Sequence, residues 1–220
     1  AGRVGPAVLP RRCATAMNNP LRIELLPLGP LQTNAVILTA GEECAVVDPG
    51  WPQEDLLERL AEGPAVTAIW LTHGHGDHLG GVAAVKKAFP AACLVAPRGD
   101  ADMLTDAQLN LSAAFGISLT APPPDRLVGD GDTLELGPTR WRVVDTSGHT
   151  PGGVSFYCAS ERVVIVGDAL FNGSIGRTDI PRASADVLLA NIRRSLLSLP
   201  DDTLVIPGHG PNTTIGRERA

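Results

Sequence analysis

The chain is predicted to adopt an α/β fold of four layers, αββα: two β-sheets face to face with helices outside each. Two observations predict it. Short apolar runs of strand character fall into two groups along the chain, and helical patterns accompany each group. The residues suited to binding metal come directly after strands, where loops converge along one edge of such a sandwich. With 220 residues and 44% hydrophobic side chains, the sequence has material for one core of this size.

Taken in order, Leu21 to Leu28, Ala35 to Thr39 and Cys44 to Val47 read as strands joined by turns at Gly29-Pro30 and Gly41-Glu42-Glu43. Asp48-Pro49-Gly50 ends the third. Pro52 to Leu60 reads as a helix because Leu56, Leu57 and Leu60 share one face. A strand at Val66 to Leu71, a helix at Leu79 to Phe89 and a strand at Cys93 to Ala96 follow. From Asp100 to Phe115, Met103, Leu104, Ala107, Leu111 and Phe115 recur at roughly helical spacing, predicting one or two helical pieces. Pro122-Pro123-Pro124 then makes a rigid linker, because proline continues neither helix nor ladder. Strands are predicted at Thr133 to Leu136, Arg140 to Asp145, Val154 to Cys158, Val163 to Val166 and Thr203 to Ile206. Ahead of the last of these, Ser184 caps a helix reaching Ser198, with Leu188, Leu189, Ile192 and Leu196 inward.

Residues 1–16 differ from the rest: Arg3, Arg11 and Arg12, prolines, no acidic residue and no period. They lack the apolar core of a secretory signal and read as a disordered leader or extraneous segment before a catalytic domain at 17–220. No apolar run approaches the ~20 residues of a membrane helix. A net charge of −6 argues against a nucleic-acid surface, which needs clustered Lys and Arg. Cys13, Cys44, Cys93 and Cys158 form no C-x-x-C pair, and three of them lie in strand-like segments, so a reducing, cytoplasmic compartment is expected.

The chemistry concentrates in Thr72-His73-Gly74-His75-Gly76-Asp77-His78-Leu79-Gly80-Gly81. Three imidazoles and a carboxylate within six residues are not expected to lie wholly in the core, and a divalent metal would satisfy several at once. His73 and His75 are too close in sequence to share a helix face, so a tight loop is expected, with Gly74 and Gly76 supplying backbone angles that other residues avoid. Asp77 and His78, at the start of the following helix, should face the pocket from a second side, an arrangement suited to two metals. The remaining histidines, His149 and His209, each follow an apolar strand and are bracketed by glycine, and Asp168 sits likewise after Val163 to Gly167. No histidine is left over for a scattered structural role.

His73-x-His75-x-Asp77-His78, followed in order by His149, Asp168 and His209, resembles the metallo-β-lactamase superfamily from about Leu21 onward. The resemblance implies that His73, His75 and His149 bind one metal and that Asp77, His78 and His209 bind a second. Asp168 would bridge the two, and Asp77 and Asp168 would be the catalytic carboxylates. Zinc is the expected metal, with iron or manganese also compatible with imidazole and carboxylate donors. Asp48 matches the family's carboxylate after an early strand, which orients the histidine loop; a turn-forming Asp is the competing explanation. Gly167-Asp168-Ala169-Leu170-Phe171, Ile175-Gly176-Arg177-Thr178-Asp179 and Pro207-Gly208-His209-Gly210-Pro211 resemble the glyoxalase II-like hydrolases. Glyoxalase II proper has a C-terminal helical domain; here Gly210 to Ala220 alone follow His209, so the resemblance is to the short, single-domain type II branch. Zinc β-lactamases lack a bridging aspartate, so Asp168 weighs against antibiotic hydrolysis.

The resemblance therefore implies hydrolysis of a small-molecule thioester, such as the glutathione conjugate S-lactoylglutathione, by attack of a metal-bridging hydroxide. Arg177 would hold a substrate carboxylate. No nucleic-acid or membrane partner is implied. Three rivals stay open: a persulfide dioxygenase with one iron on His73, His149 and Asp168; a hydrolase of another ester or of a phosphodiester; and a non-catalytic metal-binding module.

Overall fold

The computed structural model describes residues 21–220. The reading of residues 1–16 as a leader lies outside them. The first sheet contains six strands in sequence order: β1 (Arg22–Leu28), β2 (Thr33–Ala40), β3 (Glu43–Val47), β4 (Ala65–Trp70), β5 (Cys93–Pro97) and β6 (Arg126–Val128). The first three pair antiparallel, and β3 to β6 run parallel. The parallel crossovers contain α1 (Glu54–Glu62), the single turn α2 (Gly76–Leu79) and α3 (Val82–Ala88). The second sheet contains β7 (Thr133–Leu136), β8 (Thr139–Asp145), β9 (Val154–Cys158), β10 (Val163–Gly167), β13 (Leu204–Pro207) and β14 (Thr213–Thr214), with β10 parallel to β13. Between β10 and β13 lie a two-stranded ribbon, β11 (Leu170–Phe171) with β12 (Ser174–Ile175), and then α4 (Ala185–Asn191). The chain closes on α5 (Ile215–Arg219).

Side chains alternate along the strands, and this alternation makes the layers. Val36, Leu38, Val47 and Trp70 of the first sheet meet Trp141, Val143, Phe156 and Ile165 of the second in a core between the sheets. The intervening residues Ala35, Ile37, Val46 and Ile69 face the other way and pack with Leu56 and Leu60 of α1 and Val82 and Val85 of α3. Val164, Val166 and Val205 pack against Leu188, Ile192 and Leu196 on the outer side of the second sheet. The four predicted layers are all present.

Several elements differ from expectation. Asp100 to Phe115 is not α-helical; it makes 3₁₀ turns at Met103–Thr105 and Ser112–Phe115, after a first at Arg98–Asp100. Side chains compete with the helix here: Asp106 accepts from the backbone N–H groups of Gln108 and Leu109, Asn110 bonds to Met103 and Leu119, and Leu111 is left-handed at φ 67°. The helix expected from Leu79 to Phe89 is interrupted at Gly80-Gly81, where the Pro49–Trp51 backbone lies so close that a side chain at either glycine would collide with it, and resumes as α3. The helix from Ser184 begins as predicted, with the serine hydroxyl accepting from Val187 N–H, but continues past Asn191 as a π turn through Leu196. Strands β6, β11, β12 and β14 and helix α5 were not predicted; each is five residues or fewer, too short for a period to show.

Phe156 is fully buried beside Trp70, ring centroids 5.3 Å apart, in the layer joining the two sheets. Phe156→Ala is expected to lower stability by about 3–5 kcal/mol in urea denaturation, whereas truncating the exposed Val187 should change it by under ~0.5 kcal/mol.

Candidate metal centre

All the predicted metal-binding residues lie along one edge of the sandwich. His73 and His75 occupy the loop from β4 to α2, Asp77 and His78 lie on α2, and His149 lies between β8 and β9. Asp168 follows β10 and His209 follows β13, the parallel pair whose ends lie side by side. Contrary to expectation, the stretch 72–81 is buried except for a half-exposed Asp77. Other loops cover it. Gly74 and Gly76 do not adopt left-handed angles. They are needed for close approach: a Cβ would come within 2.8 Å of Met103 at Gly74 and 2.7 Å of Ser112 at Gly76.

Two trios emerge, each with its donor atoms within 4.8 Å of one another: His73, His75 and His149; and Asp77, His78 and His209. Asp168 stands between them. Its Oδ2 lies 3.6 Å from Nε2 of both His149 and His209, and its Oδ1 lies 3.3 Å from His78 Nε2. Asp77 Oδ2 is 3.2 Å from His209 Nε2 and accepts a hydrogen bond from the Thr33 hydroxyl.

Hydrogen bonds on the far side of four of the five rings, all but His75, fix their orientation. His149 Nδ1 donates to the Arg177 carbonyl (2.8 Å) and His209 Nδ1 to the Leu31 carbonyl (3.0 Å), so in each neutral ring Nε2 carries the lone pair. His78 Nδ1 faces Asp48 Oδ2 at 3.0 Å. The Thr72 hydroxyl donates to Asp48 Oδ2 (2.6 Å) and so accepts from His73 Nδ1 (3.0 Å). Asp48 thereby orients His78 directly and His73 through Thr72, while its Oδ1 accepts from Thr72 N–H. It is left-handed at φ 49°, a conformation unusual for aspartate. Asp48, His73 and His78 also form a compact trio. The Asp48 carboxylate, however, already receives these three hydrogen bonds, so it is a poor ligand and a good orienting group.

These residues fit a metal. Nε2 of His73, His78 and His149 and Oδ1 of Asp168 are buried with no hydrogen-bond partner, an arrangement that costs free energy unless a cation occupies the space they face. Donors of imidazole and carboxylate type suit zinc, iron or manganese.

The sequence model of the metallo-beta-lactamase superfamily matches residues 28–209. The chain belongs to this superfamily. It is 40% identical over 197 residues to the Bacillus subtilis (strain 168) protein "Probable metallo-hydrolase YqgX", covering 88% of this chain and 92% of that protein. It is 35% identical over 203 residues to the Haemophilus influenzae "Hydroxyacylglutathione hydrolase GloC", covering 90% and 95%. Among solved structures, BLEG-1, described as a B3 metallo-beta-lactamase, superposes with a TM-score of 0.85 at 40% identity, covering 90% of this chain and 96% of that one. TTHA1623 in a di-iron-bound form gives 0.81 at 39% identity, covering 89% and 96%.

Within this metallo-beta-lactamase frame the two trios differ electrostatically. Burial, reinforced by neighbouring imidazoles, pushes His73 well below the usual histidine range and His75 down to about 3, so both are neutral at pH 7. Burial also opposes charge on His78 and His209. There the carboxylates win: Asp77, Asp168 and Asp48 hold His78 well above its ordinary value, and Asp77 and Asp168 raise His209. Burial likewise works to raise Asp77 and Asp168, but the imidazoles, His78 foremost, hold both below the usual carboxylate range.

Sequence reasoning missed Asp100. This buried carboxylate accepts from Gly74 N–H (3.0 Å), the Thr150 hydroxyl (2.6 Å) and Gly152 N–H (2.6 Å), tying the His73–His75 loop to the His149 loop. Asn34 was missed too; its side-chain amide bonds to the carbonyls of Pro207 and Gly210 and holds the His209 loop against β2. Neither has a local signal, since its partners lie far away in the chain. Arg177 does reach the cavity wall, but its guanidinium is largely exposed and makes two hydrogen bonds to Asp179, at 2.9 and 3.0 Å. Its backbone carbonyl is what touches His149.

Two outcomes follow from these contacts. Asp100→Ala should weaken metal binding about 10- to 100-fold in competition with a chromophoric chelator, and Asp100→Asn, which keeps an acceptor, should recover part of the loss. In metal-free protein His78 and His209 hold protons that a metal must displace, whereas His73 and His75 do not. Raising the pH from 6 to 8 weakens that competition, so uptake at the Asp77–His78–His209 trio should tighten by up to about tenfold per unit for each proton released. His73 and His75, neutral throughout that range, add nothing to the release. Calorimetric titration in buffers of different ionisation enthalpy counts the protons, and His209→Ala should lower the number released, with His78 still contributing.

Proposed function

We propose that this protein is a metal-dependent hydrolase of small-molecule thioesters, using two divalent ions. The observation that carries the proposal is the placement of Asp168, whose carboxylate faces both trios at the floor of an open cavity of about 650 Å³. A carboxylate between two such sets suits a pair of ions rather than one, which weighs against a single-iron oxygenase. His73, His75 and His149 would hold one ion, Asp77, His78 and His209 the other, and Asp168 both. Such ions supply a water activated at neutral pH and positive charge beside a developing oxyanion.

The chain's own groups do the remaining work. Asp48, Thr72 and the carbonyls of Arg177 and Leu31 hold the rings of His73, His78, His149 and His209 in one orientation. Asp77 and Asp168, ionised and partly open to the cavity, would accept a hydrogen bond from the attacking water and aim it. Water adds across the carbonyl–sulfur bond to give a carboxylate, a proton and a thiol. The thiolate leaves readily because its conjugate acid has a pKa of about 8.5, so no dedicated acid is required. Similarity to the Haemophilus hydroxyacylglutathione hydrolase supports the thioester class, and the match to a di-iron-bound structure supports a two-ion site open to iron as well as zinc. Arg177, which also lines the cavity, would hold a substrate carboxylate only by giving up Asp179 for it.

A second reading, β-lactam hydrolysis, draws on the 40% identity to a structure described as a B3 metallo-beta-lactamase. It asks for attack on an amide carbonyl from the same floor. Elemental analysis paired with turnover of S-lactoylglutathione and of a chromogenic cephalosporin separates the two. The expected result is about two metals per chain, thioester turnover abolished by chelation and restored by metal, and a loss of at least about 100-fold in Asp168→Asn. Undiminished thioester turnover with less than about one metal per chain would overturn the two-ion proposal.

A further inference from the structure

The wall of the cavity is chemically unlike its floor. Leu28, Leu31, Trp51, Phe115, Ile117 and Phe171 line it above the histidines and aspartates. Among the described residues four large hydrophobic side chains are exposed, and three of them border this one cavity: Leu31 at 48%, Phe115 at 67% and Ile117 at 37%. Exposed apolar groups gathered round a polar centre mark a surface that becomes covered. Arg177, held by Asp179, is the single lysine or arginine among the lining residues. A thiol arm bearing carboxylates would find one cation there, and that one engaged.

The apolar wall is attached to the metal-binding loop. Gly76 N–H donates to the Asn110 carbonyl (2.8 Å), and Asn110 Nδ2 donates to the Leu119 carbonyl (2.8 Å). Leu119 N–H donates to the Ser112 hydroxyl (3.1 Å). The segment carrying Phe115 and Ile117 is thus closed at its base and held beside His75 and Asp77. On the other side, Gly29 is left-handed at φ 66° and a Cβ on it would come within 3.1 Å of the Trp51 side chain, so the turn carrying Leu31 sits close against Trp51.

Resting on the thioester reading above, we propose that the cavity selects thioesters with an extended apolar limb, which lies along Leu31, Trp51, Phe115 and Ile117 while the carbonyl sits over the floor. The limb is an unbranched alkyl chain, carried on either the acyl or the thiol side of the sulfur. Burying a methylene contributes ~0.8 kcal/mol, so kcat/KM should rise about fourfold per methylene while the chain remains within the wall.

The test uses two substrate series with the holoenzyme: acetyl to octanoyl thioesters of one small neutral thiol, and acetyl thioesters of alkanethiols of rising length. A slope in either series supports the inference and identifies which limb is bound. Phe115→Ser with Ile117→Ser, both exposed positions that do not support the core, should lower kcat/KM at least tenfold more for the longest substrate than for the acetyl one. A separate readout needs no turnover: binding of non-hydrolysable alkyl thioethers to metal-stripped protein, followed through Trp51 fluorescence, should tighten with chain length. Trp70 and Trp141 are fully buried between the sheets and give a constant background. Turnover without a slope in either series, and thioether binding independent of length, would overturn the inference. Length-dependent thioether binding with no thioester turnover would support the apolar site and sink the hydrolase reading instead.

Discussion

Imidazole nitrogens buried without a partner are costly, and this fold holds three of them, with a carboxylate oxygen, at one point. Much of the surrounding structure serves to keep them there. Asp48 sits in a left-handed conformation after β3 so that its carboxylate reaches Thr72 and His78. Asp100 takes three hydrogen bonds to keep two histidine loops in register, and Asn34 does the same for the third. Because the outer nitrogens of His73, His78, His149 and His209 are already bonded, their inner nitrogens have no choice but to point into the site. That is how a hydrogen-bond network prepares a cation's binding place before the cation arrives.

The layered architecture supplies the rigidity this needs. Trp70, Trp141 and Phe156 pack between the sheets with ring centroids 5.7 and 5.3 Å from Trp70, and the strands they belong to end near the loops that carry the chemistry. The bonds linking the two sheets at the site edge follow from this. Val154 N–H donates to the Thr72 carbonyl, and Asn34 N–H to the Gly208 carbonyl, so a strand of one sheet is stapled to a histidine loop of the other. The chemistry depends on atoms a few ångströms apart, and it is mounted on elements that cannot drift independently.

The floor and the wall of the cavity divide the work. The floor carries charge and fixes where a bond is broken, and the residues composing it would be similar for any carbonyl substrate. The wall, made of the turn at Leu31, Trp51 and the irregular segment from Asn110 to Leu119, determines what can be presented to it. A floor on strand ends with a wall on loops lets the two change separately.

By itself, the sequence was enough to determine the layers, the strands that lead into the site and the identity of the seven clustered residues. Apolar alternation is a local property, and His73, His75, Asp77 and His78 are crowded enough to declare a shared task. His149, Asp168 and His209 could be added because each follows an apolar strand beside glycine. Only the tertiary structure decided the roles of Asp100 and Asn34, the close-packing reason for Gly74 and Gly76, and the non-helical course of the segment after Asp100. In each case the deciding contact spans a long stretch of chain: Gly74 with Asp100, Asn34 with Pro207, Gly76 with Asn110. A periodicity reports which face of an element is apolar. It carries no information about a side chain whose partner is brought up by a different strand.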